Sequence, residues 1–237
     1  MTLSTATQQQ WDEEGYLLLE NALQGTDLER LQQAFDYWAA ACKDDWLEQI
    51  ATGLVAPTFY DIPTPLEKDD AFLDLVDHTA WFDLLQCLTG GDLLFLAPQI
   101  RTVPLWPVSY SSWHPDVPHT NPLHIKVQIY INDVPPGGGE FAYVPGSHKQ
   151  GSGPYARPQR GESMPGHKTF SGQAGTAIVF NSYGWHTALD NTTTQPRKSI
   201  ILIYEKRTPE KVKPDTFATI ASRCTTPERR TLLGLEV

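Results

Sequence analysis

From residue 93 to residue 204 the chain consists of short apolar runs whose composition is typical of β-strands. The runs are rich in Val, Ile, Tyr and Phe, and segments that contain Gly, Pro, Asn or Asp separate them. They comprise residues 93–96, 100–105, 123–131, 141–144, 176–180 and 199–204. Many short strands with this punctuation predict a Greek-key sandwich or a jelly roll, in which the strands form a double-stranded β-helix.

The residues before this region predict helices. Apolar side chains between residues 28 and 42 recur at spacings of three or four, which is typical of an amphipathic helix with one buried face. Thr26 and Glu29 would form a capping box at its start. A second helix is expected from about residue 70 to residue 88. Because the helices precede the strands, we expect a mainly β fold with the N-terminal helices packed on the major sheet.

No internal repeat or convincing linker divides the chain, so the sequence predicts a single domain over residues 1–237. Its helical part would span about 1–92, its jelly-roll core about 93–207 and its C-terminal tail 208–237. The Pro- and Gly-rich segment 134–139 lies between two predicted strands and is interpreted as a wide hairpin turn.

Charge and cysteine content narrow the possible partners and compartment. The net charge of −10 and the pI near 5.1 argue against nucleic acid as a partner, because binding to phosphates requires a basic surface. Three cysteines without a Cys-x-x-Cys pair indicate a reducing compartment. No basic leader with an apolar segment opens the sequence, and no apolar run is long enough for a membrane span. We therefore expect a cytoplasmic protein without a membrane partner.

One histidine and one aspartate lie two positions apart in Trp113-His114-Pro115-Asp116. On an extended strand, side chains at i and i+2 point to the same face, so His114 and Asp116 can converge on one metal ion. His186, in Gly184-Trp185-His186, would supply a second imidazole. Two histidines and one carboxylate form the facial set of non-haem Fe(II) oxygenases, which leaves three coordination positions free.

Further polar residues indicate an anionic ligand near this set. Arg197 directly precedes the apolar run 200–203, where an uncompensated guanidinium would be costly, and a bound dicarboxylate would compensate it. In the run 126–132, polar and apolar residues alternate, so Lys126 and Gln128 would point into the barrel. The same alternation also fits a half-solvated strand with Lys126 outward.

The remaining histidines and the aromatic residues admit simpler interpretations. His119 and His124 are rival ligands, but the prolines around them favour a role in the loop or beside the substrate. His148 is expected to brace a turn, and His78 and His167 to be ordinary. Five aromatic side chains near the predicted ligands could line a pocket or pack in the core; they are Trp106, Tyr110, Trp113, Tyr183 and Trp185.

Four segments together resemble the phytanoyl-CoA dioxygenase family of Fe(II)/2-oxoglutarate oxygenases. They are residues 113–116, 139–149, 175–186 and 191–204, and the opening at residues 12–19 is similar as well. Two departures stand out. Pro115 lies where relatives often have a polar residue, and the loop from Asp116 to Leu123 is short. The presence of Asp116 disfavours the halide-binding variant of the family.

The resemblance implies a cupin-like jelly roll that uses Fe(II), 2-oxoglutarate and O2. His114, Asp116 and His186 would bind the iron, Arg197 the distal carboxylate of 2-oxoglutarate, and Lys126 and Gln128 would contact this cosubstrate. No catalytic residue beyond the metal ligands is implied. The enzyme would convert 2-oxoglutarate and O2 to succinate and CO2 while oxidising, most often hydroxylating, an unactivated C–H bond of a small or medium-sized metabolite.

Two alternatives remain open at this point. A cupin-type metalloenzyme could use the same three ligands without 2-oxoglutarate, and a binding module could retain the fold without catalysis. Arg197 argues against the first alternative and the intact ligand set against the second. The sequence indicates neither the substrate nor the oligomeric state.

Overall fold

The computed structural model describes residues 2–109, 112–159 and 161–236. Within these ranges seven α-helices occur, at Thr5–Glu14 (α1), Gly25–Ala41 (α2), Lys43–Ala51 (α3), Pro65–Lys68 (α4), Asp70–Leu73 (α5), Phe82–Thr89 (α6) and Pro227–Leu232 (α7). Short 3-10 helices occur at Pro209–Lys211 and Pro214–Arg223. No helix in the described ranges is both long and apolar enough to cross a membrane.

The strands form two antiparallel sheets. They are Tyr16–Leu19 (β1), Tyr60–Asp61 (β2), Leu93–Val103 (β3), His124–Tyr130 (β4), Phe141–Tyr143 (β5), Lys168–Phe170 (β6), Ala177–Asn181 (β7), His186–Ala188 (β8) and Arg197–Lys206 (β9). The major sheet has the order β1-β7-β4-β9-β3-β2 and the minor sheet the order β6-β5-β8. This is the predicted jelly roll.

Helices cover the outer face of the major sheet, as predicted. Ile125, Val127 and Ile129 of β4 belong to the same buried cluster as Phe35 of α2 and the fully buried Trp81. The inner face of the sheet packs on the minor sheet through a smaller aromatic cluster, in which Tyr130, Phe141, Tyr143 and Phe180 take part. Because side chains alternate along a strand, the residues between those of the outer face must point inward.

Three local predictions are wrong. The segment 70–88 forms two short helices, α5 and α6, because buried Trp81 turns inward and its indole N–H donates to the carbonyl of Leu75 at 3.1 Å. Segment 134–139 is no hairpin, since β4 lies in the major sheet and β5 in the minor one. Finally, α2 begins at Gly25 without a side-chain cap, so Thr26 already lies within its first turn.

Strand boundaries also differ from the predicted ones. The run 93–96 and most of the run 100–105 form a single strand, β3, which ends at Val103 and has a register shift between Phe95 and Ala97. The last strand begins earlier than predicted, at Arg197, which lies opposite Val103. Arg197 therefore belongs to the sheet itself.

Candidate functional site

A backbone pairing between distant segments builds the site. His114 and His186 form an isolated antiparallel bridge, in which each amide donates to the carbonyl of the other at 3.1 Å. The amide of Asp116 donates to the carbonyl of Ser182 at 2.9 Å. These bonds hold the segment of His114 and Asp116 against the start of β8, so that all three predicted ligands come together.

The three side chains converge as a metal would require. Their ligand atoms all lie within 4.8 Å of one another. Nε2 of His186 is 3.3 Å from Oδ2 of Asp116, and Nε2 of His114 is 3.8 Å from Oδ1. Each imidazole has its Nδ1 beside a carbonyl, that of Ser112 at 2.6 Å and that of Gly184 at 2.9 Å. A carbonyl partner assigns the proton to Nδ1 and leaves the Nε2 lone pair for a metal.

Protonation and hydrogen bonding also fit a divalent metal. Burial lowers the pKa of His186 to about 4, so the imidazole is neutral near pH 7. Burial opposes ionisation of Asp116, but the positive charges of protonated His186 and of Lys126 outweigh it and hold the pKa of Asp116 below its usual value. Oδ2 of Asp116 is buried without a hydrogen-bond partner. Neutral imidazoles and an ionised carboxylate are the species that bind iron-group metals.

The set opens into a cavity of about 370 Å³ that Arg197 and Gln128 also line. Arg197 is only 3% exposed; it donates to the carbonyl of Gly139, and its Nε has no partner. Among the described residues no carboxylate lies within ion-pair distance of it, and burial lowers its pKa. The amide nitrogen of Gln128 is buried and unpaired as well. A buried cation beside unpaired donors requires an anionic ligand.

Lys126 also lines this cavity, so the predicted inward orientation of Lys126 and Gln128 is confirmed. Its ammonium group donates to Oδ1 of Asp116 at 2.5 Å. The predicted contact of Lys126 with a cosubstrate stays a prediction. A wider groove of about 920 Å³ beside α1 and the end of α6 contains none of the predicted site residues.

The rival histidines do not join the ligand set. Nε2 of His119 lies 2.7 Å from the carbonyl of His148, and its ring packs against Tyr183. His124 is buried in β4, and burial lowers its pKa to about 4. The backbone carbonyl of His148 thus fixes the position of the His119 ring.

The four described members of the predicted aromatic set, Trp106, Trp113, Tyr183 and Trp185, do not line the cavity. Trp113 is buried in a separate cluster, Trp106 is 61% exposed, and Trp185 packs near Tyr155. The hydroxyl of Tyr183 donates to the carbonyl of Asn121, and Tyr110 lies outside the described residues. Among the described residues, the aromatic lining consists of Phe59, Phe141 and Phe180. Of the two predicted roles, pocket lining is therefore wrong for the four described residues, which pack against other residues or are exposed.

Sequence reasoning missed three polar residues of this region. Ser199 is fully buried with an unpaired hydroxyl, two positions after Arg197 and so on the same strand face. That spacing alone could have identified it. Gln99 and Arg101 of β3 also line the cavity. Arg101 forms a two-bond ion pair with Asp61 at 2.7 Å and stacks on Phe59. This ion pair is revealed only by the order of the strands, which places β2 beside β3.

Gly184 is expected to be indispensable to the position of His186. A Cβ atom at Gly184 would lie 1.9 Å from the hydroxyl oxygen of Tyr143. That hydroxyl donates to the carbonyl of Asn181 at 2.9 Å and belongs to a fully buried side chain. We expect Gly184→Ala to cost about 1–3 kcal/mol of stability, as overpacking does, and to weaken metal binding. Urea unfolding and Co(II) titration measure both effects. Gly151→Ala is a comparison without steric overlap: a Cβ there meets nothing within 4 Å, but its φ of +79° strains an alanine, so this variant should lose stability without weakening metal binding.

Comparison with known proteins gives the family. The model of the phytanoyl-CoA dioxygenase (PhyH) family matches residues 11–199. An ectoine dioxygenase from Nocardia farcinica (strain IFM 10152) is 24% identical over 246 residues, covering 91% of this chain and 81% of the relative.

Solved structures share the fold. HygX from Streptomyces hygroscopicus, with nickel and 2-oxoglutarate bound, has a TM-score of 0.67 at 16% identity and covers 86% of this chain and 87% of its own. EctD from S. alaskensis, with bound Fe, has a TM-score of 0.62 at 19% identity; the match covers 86% of this chain and 76% of EctD. The epimerase SnoN, in complex with Fe3+, alpha-ketoglutarate and nogalamycin RO, has a TM-score of 0.60 at 20% identity; the match covers 84% of this chain and 81% of SnoN.

The family match extends over most of the chain, including all three predicted metal ligands and Arg197. It favours the oxygenase over both alternatives, the cupin-type enzyme without 2-oxoglutarate and the non-catalytic module. The chain belongs to the phytanoyl-CoA dioxygenase family and is an Fe(II)/2-oxoglutarate-dependent oxygenase.

Proposed function

We propose that His114, Asp116 and His186 hold Fe(II), and that Arg197 binds the distal carboxylate of 2-oxoglutarate. The enzyme then oxidises, most often hydroxylates, an unactivated C–H bond of a small or medium-sized metabolite, while 2-oxoglutarate and O2 become succinate and CO2. One observation carries this proposal: a convergent set of two imidazoles and a carboxylate shares a cavity with a buried guanidinium whose Nε is unpaired and which, among the described residues, has no carboxylate within ion-pair distance.

Each residue of the site has a task that its surroundings support. When bound, the iron supplies the oxidising power for C–H cleavage from dioxygen and the cosubstrate. His114, Asp116 and His186 would hold the metal and would leave coordination positions open for cosubstrate and O2. Arg197 fixes the far end of 2-oxoglutarate, and Gln128 can donate its unpaired amide N–H to it. Phe141 and Phe180, whose rings pack near His186, exclude water from that side.

Size and charge of the cavity support a small-molecule substrate. About 370 Å³ accommodates the cosubstrate and the reacting part of one small molecule. Of the cations that line it, Lys126 is paired with Asp116 and Arg101 with Asp61, while Arg197 is assigned to the cosubstrate. We therefore propose that the substrate presents an uncharged segment to the iron. Structural relatives include HygX with hygromycin B bound and SnoN with nogalamycin RO.

We further propose that residues 1–237 act as one oxygenase domain in the reducing cytoplasm. Leu232 and Leu233, after the predicted core, join the same buried cluster as the N-terminal helices. Arg229 makes a two-bond ion pair with Asp77 at 2.7 and 2.9 Å, which ties this segment to the helical part. Buried free thiols at Cys42 and Cys224 support a reducing compartment.

Anaerobic titration of metal-free protein with Fe(II) and then 2-oxoglutarate tests the proposal. A visible charge-transfer band that develops only when both are present is the expected result. Iron binding without the band would reject the role of 2-oxoglutarate, and absence of iron binding would reject the metal site. Once the band is established, succinate formation reports on a panel of neutral and charged metabolites, of which the neutral ones should stimulate turnover more.

A further inference from the structure

We infer that Lys126 is a positioning residue for the metal ligand Asp116: it holds Oδ1 and so leaves only Oδ2 for the metal. The inference rests on the proposed function, since it assumes that a metal binds at this set. Nζ of Lys126 lies 2.5 Å from Oδ1, and the two side chains are only 10% and 14% exposed. A short, largely buried ion pair of this kind keeps its geometry better than a surface pair does.

The strand that carries Lys126 is fixed on both sides. In the centre of the major sheet, Lys126 lies opposite Phe180 of β7 and Ile203 of β9. Its backbone therefore cannot shift without breaking two ladders. The ammonium group approaches Asp116 from the sheet, whereas His186 approaches the same carboxylate from β8 with Nε2 at 3.3 Å from Oδ2. Oδ2 has no hydrogen-bond partner and faces His186, whereas Oδ1 carries the ammonium group and lies farther, 3.8 Å, from Nε2 of His114.

This division matters because a carboxylate binds metals through one oxygen or through both. A carboxylate bound through both oxygens would take one of the three positions that the facial set leaves open. The cosubstrate and O2 would both need these open positions. By occupying Oδ1, Lys126 would keep all three available. Its charge also compensates the buried carboxylate when no metal is present.

The number of water molecules on bound Mn(II) tests the inference without turnover. Water-proton relaxation of the Mn(II)-loaded wild type should give about three metal-bound waters. In Lys126→Met, Oδ1 becomes free to bind, and we expect about two. Lys126→Arg, which restores a cationic donor, should return the count to about three. Lys168→Met, which breaks the exposed pair with Glu14, is the matched control and should leave the count unchanged.

Thermal unfolding gives a second measurement on the same proteins. Without metal, Lys126→Met leaves the Asp116 carboxylate uncompensated, so its Tm should fall and Mn(II) should raise it by more than in the wild type. If Lys126→Met does not fold, Lys126→Gln, whose shorter side chain does not reach Oδ1, should give the same reduced count. Circular dichroism verifies the fold of each variant.

The outcomes separate this inference from the proposed function. If wild type and His186→Ala bind Mn(II) alike, the metal site itself is rejected. If wild type binds Mn(II) but Lys126→Met has an unchanged water count, only the positioning role is rejected. An unchanged count together with weaker 2-oxoglutarate binding would instead assign Lys126 to the cosubstrate and overturn the inference.

Discussion

His186→Ala is expected to abolish iron binding and, with it, the charge-transfer band with 2-oxoglutarate. His186 is 5% exposed, and its neutral Nε2 faces the unpaired Oδ2 of Asp116 at 3.3 Å. Mutation of residues that only hydrogen-bond to metal ligands already lowers metal affinity about 10–100-fold. Loss of a ligand itself should therefore weaken Fe(II) binding by more than about 100-fold. Anaerobic titration with Fe(II), followed by 2-oxoglutarate, measures both quantities.

His119→Ala is the matched control, because His119 follows the ligands closely in sequence and yet contacts Tyr183 and the backbone of His148. It should keep the Fe(II) affinity of the wild type. An equal loss of Fe(II) affinity in His119→Ala and His186→Ala would indicate a general effect on folding, which circular dichroism detects. Full iron binding by a folded His186→Ala protein would contradict the metal assignment.

Arg197→Met is expected to raise the 2-oxoglutarate concentration needed for half-saturation by more than about 100-fold. The estimate follows from the roughly 3–5 kcal/mol that breaking a buried ion pair costs. Arg197 is 3% exposed, so the cosubstrate carboxylate would lose its cation in a site where water cannot replace it. Iron binding should persist, because Arg197 contacts none of the three ligands. Titration of the Fe(II)-loaded variant with 2-oxoglutarate, followed by the charge-transfer band, gives the affinity.

Arg101→Met provides the comparison within the same cavity. Its guanidinium is already paired with Asp61 at 2.7 Å and stacked on Phe59, so it is not available to the cosubstrate. We expect 2-oxoglutarate affinity to change by less than about threefold, which corresponds to less than about 0.7 kcal/mol. If Arg197→Met and Arg101→Met weaken 2-oxoglutarate binding equally, Arg197 has no special role and the cavity has only a general positive potential.

The sequence could single out the candidate residues where their signals are local. The i, i+2 spacing of His114 and Asp116 brings their side chains together, although neither residue lies in one of the strands, and the alternation along β4 places Lys126 and Gln128 inward. Arg197 could be predicted because it precedes an apolar run, where a buried guanidinium demands an anion. The order of helices and strands likewise indicated the jelly roll with helices on one face of its major sheet.

What depends on long-range pairing could not be predicted in this way. The wrong helix at 70–88 and the wrong hairpin at 134–139 follow from how Trp81 is buried and how two sheets are connected. The pairing of Arg101 with Asp61 depends on β2 lying at the edge beside β3.

Sequence alone therefore determined which residues share a face and which of them carry the donor atoms of the proposed site, because strand periodicity is a property of neighbouring residues. Only the tertiary structure decided that His114 and His186 meet through one backbone bridge and that Lys126 occupies one oxygen of Asp116. Contacts between distant segments arise from the packing of whole sheets, and no short stretch of sequence encodes them.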